Sequence, residues 1–300
     1  MTGAEARSRS RALSIAPAGE SGTVALAILL ASMSAGAGFM GDVALYHWEP
    51  NANSGKPMLT LMEKGVAFDS HYVDLLNFDQ HRPDYLAINP QGTIPVMKHG
   101  DLVLTESTAI MEYVDEAFPG PKLMPDNPRD RWRIRWWMKF MDQWLAPSFS
   151  MIGWSVFVGP AVRSKDPEEL KAAIERIPLP ERRVAWRKAI YGLFGDDEMK
   201  ESQRRVAVGI GMLEKALSKR TWLASDQYSL ADANGFNLAY ALPLSQPSLS
   251  NDALTPNIMR WLRSIYARPA TKACWATGRT DMVKRVAILE QPHIGREHVP

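Results

Sequence analysis

The sequence is poor in cysteine, with Cys274 as its single example among 300 residues. One cysteine excludes an intrachain disulfide, a cysteine metal cage and a CxxC redox pair. It fits a reducing compartment, where thiols are kept free. We therefore expect a cytoplasmic protein.

An excess of one charge is also lacking. Lys and Arg total 35 against 33 Asp and Glu, which leaves a formal net charge of +2. So small a value does not indicate a polyanionic partner. The arginine-rich run RDRWRIRWWMKF, residues 129–140, would spread its arginines over a solvated face if it is a helix. We therefore predict no nucleic-acid partner.

Histidines in a metal-binding arrangement are not found. No two of them stand four residues apart with a carboxylate nearby, as in zinc proteases. The six are His47, His71, His81, His99, His293 and His298. We predict no metal site.

Long apolar runs are scarce, and the clearest is TVALAILLASM at residues 23–33. Arginines precede it and small residues follow, which is the layout of a secretory signal. It is shorter than the roughly 20 residues that span a bilayer. Because Met40 stands just before the first predicted strand, we favour an upstream extension over a signal. In both cases residues 1–40 are a leader or extension outside the fold, and we predict no permanent membrane anchor.

The next 80 residues, 41–120, have the pattern of a small α/β domain. Residues 43–48, 57–64 and 66–73 read as strand, helix and strand, with Pro57 suited to a first helical turn and Gly65 to a left-handed exit. PVMK and LVLT then flank a tight HGD turn, and a helix opens at Ser107. A βαβ unit followed by a ββα unit predicts a thioredoxin-like domain.

The second half reads as all helical. Residues 119–128 carry four prolines and are typical of a linker. We expect a helical domain at 129–290 and a tail at 291–300. The predicted helices cover residues 131–145, 167–176, 181–191, 197–218, 229–242 and 255–267.

Several short motifs, taken in order, resemble those of the cytosolic glutathione S-transferase family. They are NPQGTIP at 89–95, TESTAI at 105–110, SLADA at 229–233 and ARPA at 267–270. The resemblance covers residues 41 to about 290. Within the family, four longer segments are similar to the glutathione-dependent β-aryl etherases of lignin-degrading sphingomonads. These are NANSGKPMLTLMEKG, TESTAIMEYVDEAFP, SMIGWSVF and IPLPERRVAWRKAIYGLF.

This resemblance implies a thioredoxin-like N-terminal domain that binds glutathione as co-substrate and an all-α C-terminal domain that binds an apolar aromatic ether. It implies no metal, and it implies the homodimer usual in the family. Ser54 stands where transferases of this type carry a sulfur-contacting hydroxyl, and Asn53 beside it offers an amide. A free thiol titrates near 8.5, and donors at a helix N-terminus favour its anion. The alternative is ordinary turn and capping chemistry.

The glutathione backbone is expected at the next two motifs. Ile94 and Pro95 stand where the family has a cis-proline, whose preceding residue pairs with the cysteinyl part of glutathione. The alternative is a proline that starts an edge strand. Gln80 and His81 stand where relatives bind the glycyl carboxylate. An exposed surface histidine is the alternative there.

The γ-glutamyl end is expected at Glu106 and Ser107. The hydroxyl of Ser107 and the helix N-terminus would bind the carboxylate, and Glu106 the ammonium. An ordinary helix cap explains the pair equally well. In SLADA, Ser229 and Asp232 form a capping box, so we interpret Asp232 as structural and not as a general base.

A substrate pocket is expected from apolar residues at helical spacing. Trp and Met stripes are more often core than pocket, and that alternative stays open. The candidates are Trp137, Met141, Trp144, Ser148, Ile152 and Trp154.

Three functions are compatible with the resemblance. In the first, glutathione thiolate displaces a phenolate from a lignin-derived β-aryl ether that carries an α-carbonyl, and a thioether remains. The second is a general glutathione transferase acting on other electrophiles. The third is a glutathione-binding protein without catalysis. We favour the first.

Overall fold

The computed structural model describes residues 42–295. The expected leader at 1–40 and the last five residues of the expected tail lie outside the described part. A four-stranded sheet occupies the N-terminal half, in the order β2-β1-β3-β4. Its strands are β1 Val43–His47, β2 Asp69–Tyr72, β3 Val96–His99 and β4 Leu102–Leu104.

The sheet has one parallel and two antiparallel pairings. β1 runs parallel to β2, with Leu45 opposite Ser70, and antiparallel to β3. β3 and β4 are antiparallel with His99 opposite Leu102. The predicted thioredoxin-like order is therefore confirmed. β2 is shorter than the predicted strand at 66–73 because it lies at the sheet edge and pairs with β1 along only four residues.

Helices cover this sheet. They are α1 Gly55–Lys64, α2 Pro83–Leu86 and α3 Ser107–Ala117, with 3₁₀ turns at Leu75–Asn77 and Asp79–His81. α1 begins two residues before the predicted start and ends at Gly65, whose φ of 70° is the left-handed exit expected there. α1 and α3 pack together, and Lys64 Nζ lies 3.1 Å from Asp115 Oδ1 between them.

The remainder is helical, as predicted. Its first helices are α4 Pro128–Phe140, α5 Ala146–Gly153, α6 Gly159–Arg163, α7 Pro167–Glu175 and α8 Pro180–Tyr191. They are followed by α9 Asp196–Leu217, α10 Leu230–Ala239, α11 Leu242–Ser245, α12 Pro256–Tyr266, α13 Pro269–Ala276 and α14 Asp281–Lys284. A 3₁₀ turn, Arg285–Glu290, comes last.

Helices α4 to α6 form one continuous rod, because π-helical turns at Met141–Leu145 and Trp154–Val158 join them. By length and composition this rod could cross a membrane, a test that the core helix of a soluble protein also passes. One side of it packs on α9, where Gly209 leaves room for Leu145. The arginines of α4 make ion pairs, including Arg131 with Glu116 and Arg135 with Glu112.

One apolar core runs through both halves. It includes Leu45 and Leu59 from the sheet side and Phe236 and Trp261 from the helical side. Asp232, at the start of α10, accepts hydrogen bonds from the backbone N–H groups of Ser229 and Leu223 and from Trp261 Nε1. The Asp232 carboxylate therefore has a structural role, in agreement with the capping-box interpretation. α10 is fixed by these bonds, and its far end reaches the cleft described below.

Candidate active site

A cleft of about 690 Å³ lies between the sheet half and the helical half. On the sheet side it is lined mainly by the loop after β1, the start of α1 and the segment before β3. These residues are Trp48, Asn51, Ala52, Asn53, Lys56, Leu75, Gln80, His81, Gly92, Thr93 and Ile94. The helical side contributes aromatic rings, namely Phe149, Trp154, Phe157, Trp186 and Tyr240. Polar side chains such as Asn53, Lys56 and Gln80 therefore line the same cleft as several aromatic rings.

The loop at residues 48–54, which we call the entrance loop, is held by the helical half. Asn237 Nδ2 donates to the Pro50 carbonyl, and Asn51 Nδ2 donates to Tyr240 Oη over 2.8 Å. Gly55 follows because the chain is crowded: a Cβ there would lie 1.7 Å from the Pro50 oxygen. The Asn and Gly residues before α1 thus fit the loop against α10.

The two predicted sulfur-binding residues have different surroundings. Ser54 is fully buried, and its Oγ accepts a hydrogen bond from the Trp48 backbone N–H over 3.0 Å. It makes no side-chain cap on α1 and does not line the cleft. Asn53 is exposed and lines the cleft one residue before the N-cap of α1. Its amide NH₂ group can donate a hydrogen bond to an anion, and the neighbouring N-terminus of α1 also favours a negative charge.

The predicted glycyl-carboxylate residues lie in the cleft wall. Gln80 and His81 are both buried rather than exposed, and Gln80 Oε1 and His81 Nδ1 find no hydrogen-bond partner within residues 42–295. Burial, with the charges of Arg182 and Arg176, lowers the pKa of His81 to about 4. Buried polar atoms of this kind are usually paired, so the pair fits a polar ligand.

The Ile94–Pro95 peptide bond is cis, and Ile94 lines the cleft. Glu106 and Ser107 stand at the start of α3 and do not line the cleft volume. Glu106 is exposed and has φ 66° and ψ 103°, a backbone conformation that is strained for any residue except glycine. Strain of this kind gathers at binding sites, which supports the γ-glutamyl assignment without testing it.

The structure brings three of the six predicted substrate-pocket residues to the cleft. Met141, Ile152 and Trp154 line the cleft, but Trp137, Trp144 and Ser148 do not. Trp144 and Ser148 lie within and after the π-helical turn at Met141–Leu145, where the extra residue in the turn rotates the chain that follows. Trp137 precedes that turn and belongs to the apolar core.

Each of the three displaced residues has another contact. Trp137 is buried in the core beside Phe140, with ring centroids 5.6 Å apart. Trp144 lies under the guanidinium of Arg205, 4.8 Å from its ring centroid. Ser148 is buried and donates to the Trp144 carbonyl over 3.4 Å.

The sequence interpretation missed several cleft residues. Lys56 is almost fully buried and pairs with Asp142 from the π-helical turn, with Nζ 2.6 Å from Oδ1. Trp48 Nε1 is a buried donor that finds no partner within the described chain. Tyr240 and Arg285 come from the helical half. No spacing in the sequence indicates these four, because each reaches the cleft only through the tertiary fold.

Comparison with known proteins identifies the fold. Residues 52–117 match the model for the N-terminal domain of glutathione S-transferases, and residues 145–269 match that for the C-terminal domain. Protein LigF of Sphingobium sp. strain NBRC 103272 / SYK-6 is 38% identical over 250 residues, which are 80% of this chain and 96% of LigF. The chain belongs to the glutathione S-transferase family.

Other relatives place this transferase in the same family. Glutathione S-transferase F10 of Arabidopsis thaliana is 30% identical over 226 residues, 74% of this chain and 91% of its own. The crystal structure of the β-etherase LigF from Sphingobium sp. strain SYK-6 superposes with a TM-score of 0.75 at 36% identity. The superposition covers 79% of this chain and 99% of the LigF chain. Family membership makes glutathione the co-substrate of the transferase.

Within residues 42–295, no group of three or more His, Cys, Asp or Glu side chains is arranged to hold a metal ion. The one cysteine, Cys274, is buried, and burial raises the pKa of its thiol. It lies outside the cleft lining. Cys274 is therefore not placed to act as a nucleophile in the cleft.

Proposed function

We propose that this transferase cleaves β-aryl ethers, using the glutathione thiolate to displace a phenolate. The observation that carries the proposal is the composition of the cleft: Asn53 and the start of α1 face a wall that includes Phe149, Trp154 and Phe157. A glutathione thiolate beside Asn53 would meet an aromatic substrate that packs against these rings. Relatedness to the β-etherase LigF supports an aryl ether as that substrate.

The reaction needs little from the protein beyond an anion and alignment. The sulfur attacks the carbon that bears the aryl ether oxygen, the C–S bond forms, and the C–O bond breaks with its electron pair on oxygen. An α-carbonyl next to that carbon assists displacement, and the aromatic ring spreads the charge of the phenolate. Holding both reactants in one cleft supplies the proximity. Asn53 stabilises the thiolate, and Ser54 supports the loop that presents it.

The glutathione assignment follows the same cleft. Gln80 and His81 bind the glycyl carboxylate, Ile94 before the cis-Pro95 pairs with the cysteinyl backbone, and Glu106 with Ser107 holds the γ-glutamyl end. The unpartnered His81 Nδ1 supports the first of these, because a ring nitrogen that carries a proton can donate to a carboxylate, and the strained Glu106 supports the last.

The test is incubation with glutathione and each enantiomer of a model β-aryl ether ketone. We expect phenol and a glutathione thioether in equal amounts, with one enantiomer preferred because the aromatic wall is asymmetric. A chlorodinitroarene supplied separately tests general transferase activity. Turnover of the chloroarene without phenol from either ether would leave a general transferase. Glutathione binding without any thioether would leave a non-catalytic protein.

We also propose that the transferase is a cytoplasmic homodimer. The exposed side chains of Leu102 and Val103 on β4 and of Trp132 and Trp136 on α4 support a contact with a second copy. A cytoplasmic location fits a protein that consumes glutathione and has one free, buried cysteine. Light scattering on the purified protein measures the oligomeric state: a monomer at micromolar concentration would remove the dimer.

A further inference from the structure

Tyr240 stands at the end of α10, the helix that the capping box of Ser229 and Asp232 begins. Its side chain is 3% exposed and forms part of the cleft wall. The ring lies edge-on to Trp275, with centroids 5.8 Å apart, and packs tilted against Phe236 at 6.4 Å. These contacts fix the ring and thereby the position of its hydroxyl.

Among residues 42–295 the hydroxyl has one hydrogen bond, to the side chain of Asn51. Asn51 Nδ2 donates to Tyr240 Oη over 2.8 Å. An amide NH₂ group cannot accept a hydrogen bond, so this contact uses the phenol as acceptor and leaves its own proton for another partner. Asn51 is two residues before Asn53 on the entrance loop. A hydrogen-bond donor is therefore connected directly to the loop that presents the proposed sulfur site.

The surroundings keep Tyr240 protonated. Burial raises the pKa of its phenol to about 12, against the lowering effects of the Asn51 hydrogen bond and the Arg285 charge. At neutral pH the group is thus a donor and neither a base nor a nucleophile. Arg285 also lines the cleft, makes no ion pair within residues 42–295, and lies over Phe157 at 5.4 Å from its ring centroid.

We propose that Tyr240 is a catalytic residue that donates a hydrogen bond to the aryl ether oxygen of the electrophile, where negative charge develops as the C–O bond breaks. This inference rests on the proposed function. The electron pair of the broken bond stays on the aryl oxygen. Tyr240 retains its proton because the leaving phenolate, whose phenol has a pKa near 10, is a weaker base than the phenolate of Tyr240, whose phenol has a pKa of about 12. The phenolate takes a proton from water after release. Arg285 adds positive charge on the same side of the cleft.

The test compares the wild-type enzyme with Tyr240→Phe, which removes one oxygen atom. Removal of a donor aimed at developing charge lowers kcat roughly 100- to 1,000-fold. We expect a loss of this size in phenol release, and a larger loss for less acidic leaving phenols because they carry more charge in the transition state. Glutathione affinity and turnover of a chlorodinitroarene, which has no ether oxygen, should stay within about twofold.

Two further variants separate catalysis from structure. Tyr228→Phe removes the buried hydroxyl of a half-buried tyrosine that is not part of the cleft lining, and it should leave both reactions unchanged. Asn51→Ala removes the partner of Tyr240 on the entrance loop. If Tyr240 only holds that loop, Asn51→Ala will reproduce the dependence on phenol acidity seen in Tyr240→Phe. We expect instead that Asn51→Ala, which breaks the same hydrogen bond but keeps the phenol, changes both reactions alike and by no more than about twofold.

The outcomes are distinguishable. Retention of phenol release by Tyr240→Phe across the phenol series, with an active wild-type enzyme, overturns the role of Tyr240 alone. A parallel loss of both reactions together with glutathione binding assigns it a structural role and also overturns the proposal. Absence of phenol release by the wild-type enzyme overturns the proposed function and this inference together.

Discussion

The backbone N–H of Trp48 donates to Ser54 Oγ over 3.0 Å, so the hydroxyl of Ser54 joins the end of β1 to the start of α1. Ser54 is fully buried, whereas its neighbour Asn53 is exposed to the cleft. The two residues that are adjacent in sequence therefore have separate tasks. Ser54 closes the entrance loop, and Asn53 lines the cleft in which we propose that glutathione binds.

The first prediction separates these tasks. Ser54→Ala leaves the Trp48 N–H buried without a partner, which should lower the free energy of unfolding by about 1–3 kcal/mol. Asn53→Ala should leave stability nearly unchanged and lower turnover more than Ser54→Ala does. Denaturant unfolding and phenol release measure the two effects. Full turnover in both single variants and in the double variant would remove the pair from the mechanism.

The second prediction concerns the ion pair of Lys56 and Asp142 across the cleft. Asp142→Asn leaves the buried Lys56 ammonium without its counter-charge, which should cost about 3 kcal/mol of unfolding free energy. The matched control is Asp126→Asn in the exposed pair with Lys122, where solvent screens the charges and the loss should be much smaller. Equal effects in the two variants would mean that solvent screens Lys56 as fully as Lys122.

The third prediction is a pH dependence from His81. Burial and the charges of Arg182 and Arg176 lower the pKa of His81 from 6.5 to about 4. Between these values the unfolded chain takes up a proton that the native state refuses, so stability is complete above pH 6.5 and falls as the pH drops towards 4. In His81→Gln the side chain at this position takes up no proton in this pH range. The midpoint temperature of unfolding should therefore fall less steeply between pH 7 and 4.5 for the variant than for the wild-type protein. Equal slopes would contradict the lowered pKa of His81.

The fourth prediction uses the strained backbone of Glu106. Glu106→Gly relieves the positive φ and should raise the unfolding free energy by about 1 kcal/mol. It also removes the carboxylate proposed to bind the γ-glutamyl ammonium, so glutathione affinity should fall. Glu106→Gln keeps the strain but not the charge. Calorimetric titration with glutathione measures both variants, and wild-type affinity in both would remove Glu106 from the site.

Local patterns predicted much of the fold. Apolar runs at 43–48 and around the HGD turn, with the left-handed exit at Gly65, were enough to predict a βαβ unit followed by a ββα unit. The capping box predicted the start of α10 because its hydrogen bonds are between near neighbours in sequence. These features depend on short-range rules, which a single sequence contains.

The site was predicted less completely, for two physical reasons. The π-helical turn at Met141–Leu145 changes which face of the later part of the rod meets the cleft. No residue in its sequence, MDQWL, indicates a π-helical turn. Tyr240 and Arg285 reach the cleft only because α10 and the 3₁₀ turn at Arg285–Glu290 pack beside the entrance loop. Long-range placement of this kind is not contained in local spacing.

The most direct measurement is a crystal structure with the glutathione thioether product bound. The account predicts that the sulfur lies within hydrogen-bonding distance of the Asn53 side chain and that the substrate-derived group lies against Trp154 and Phe157. A sulfur remote from the entrance loop, or a tripeptide bound outside this cleft, would contradict it.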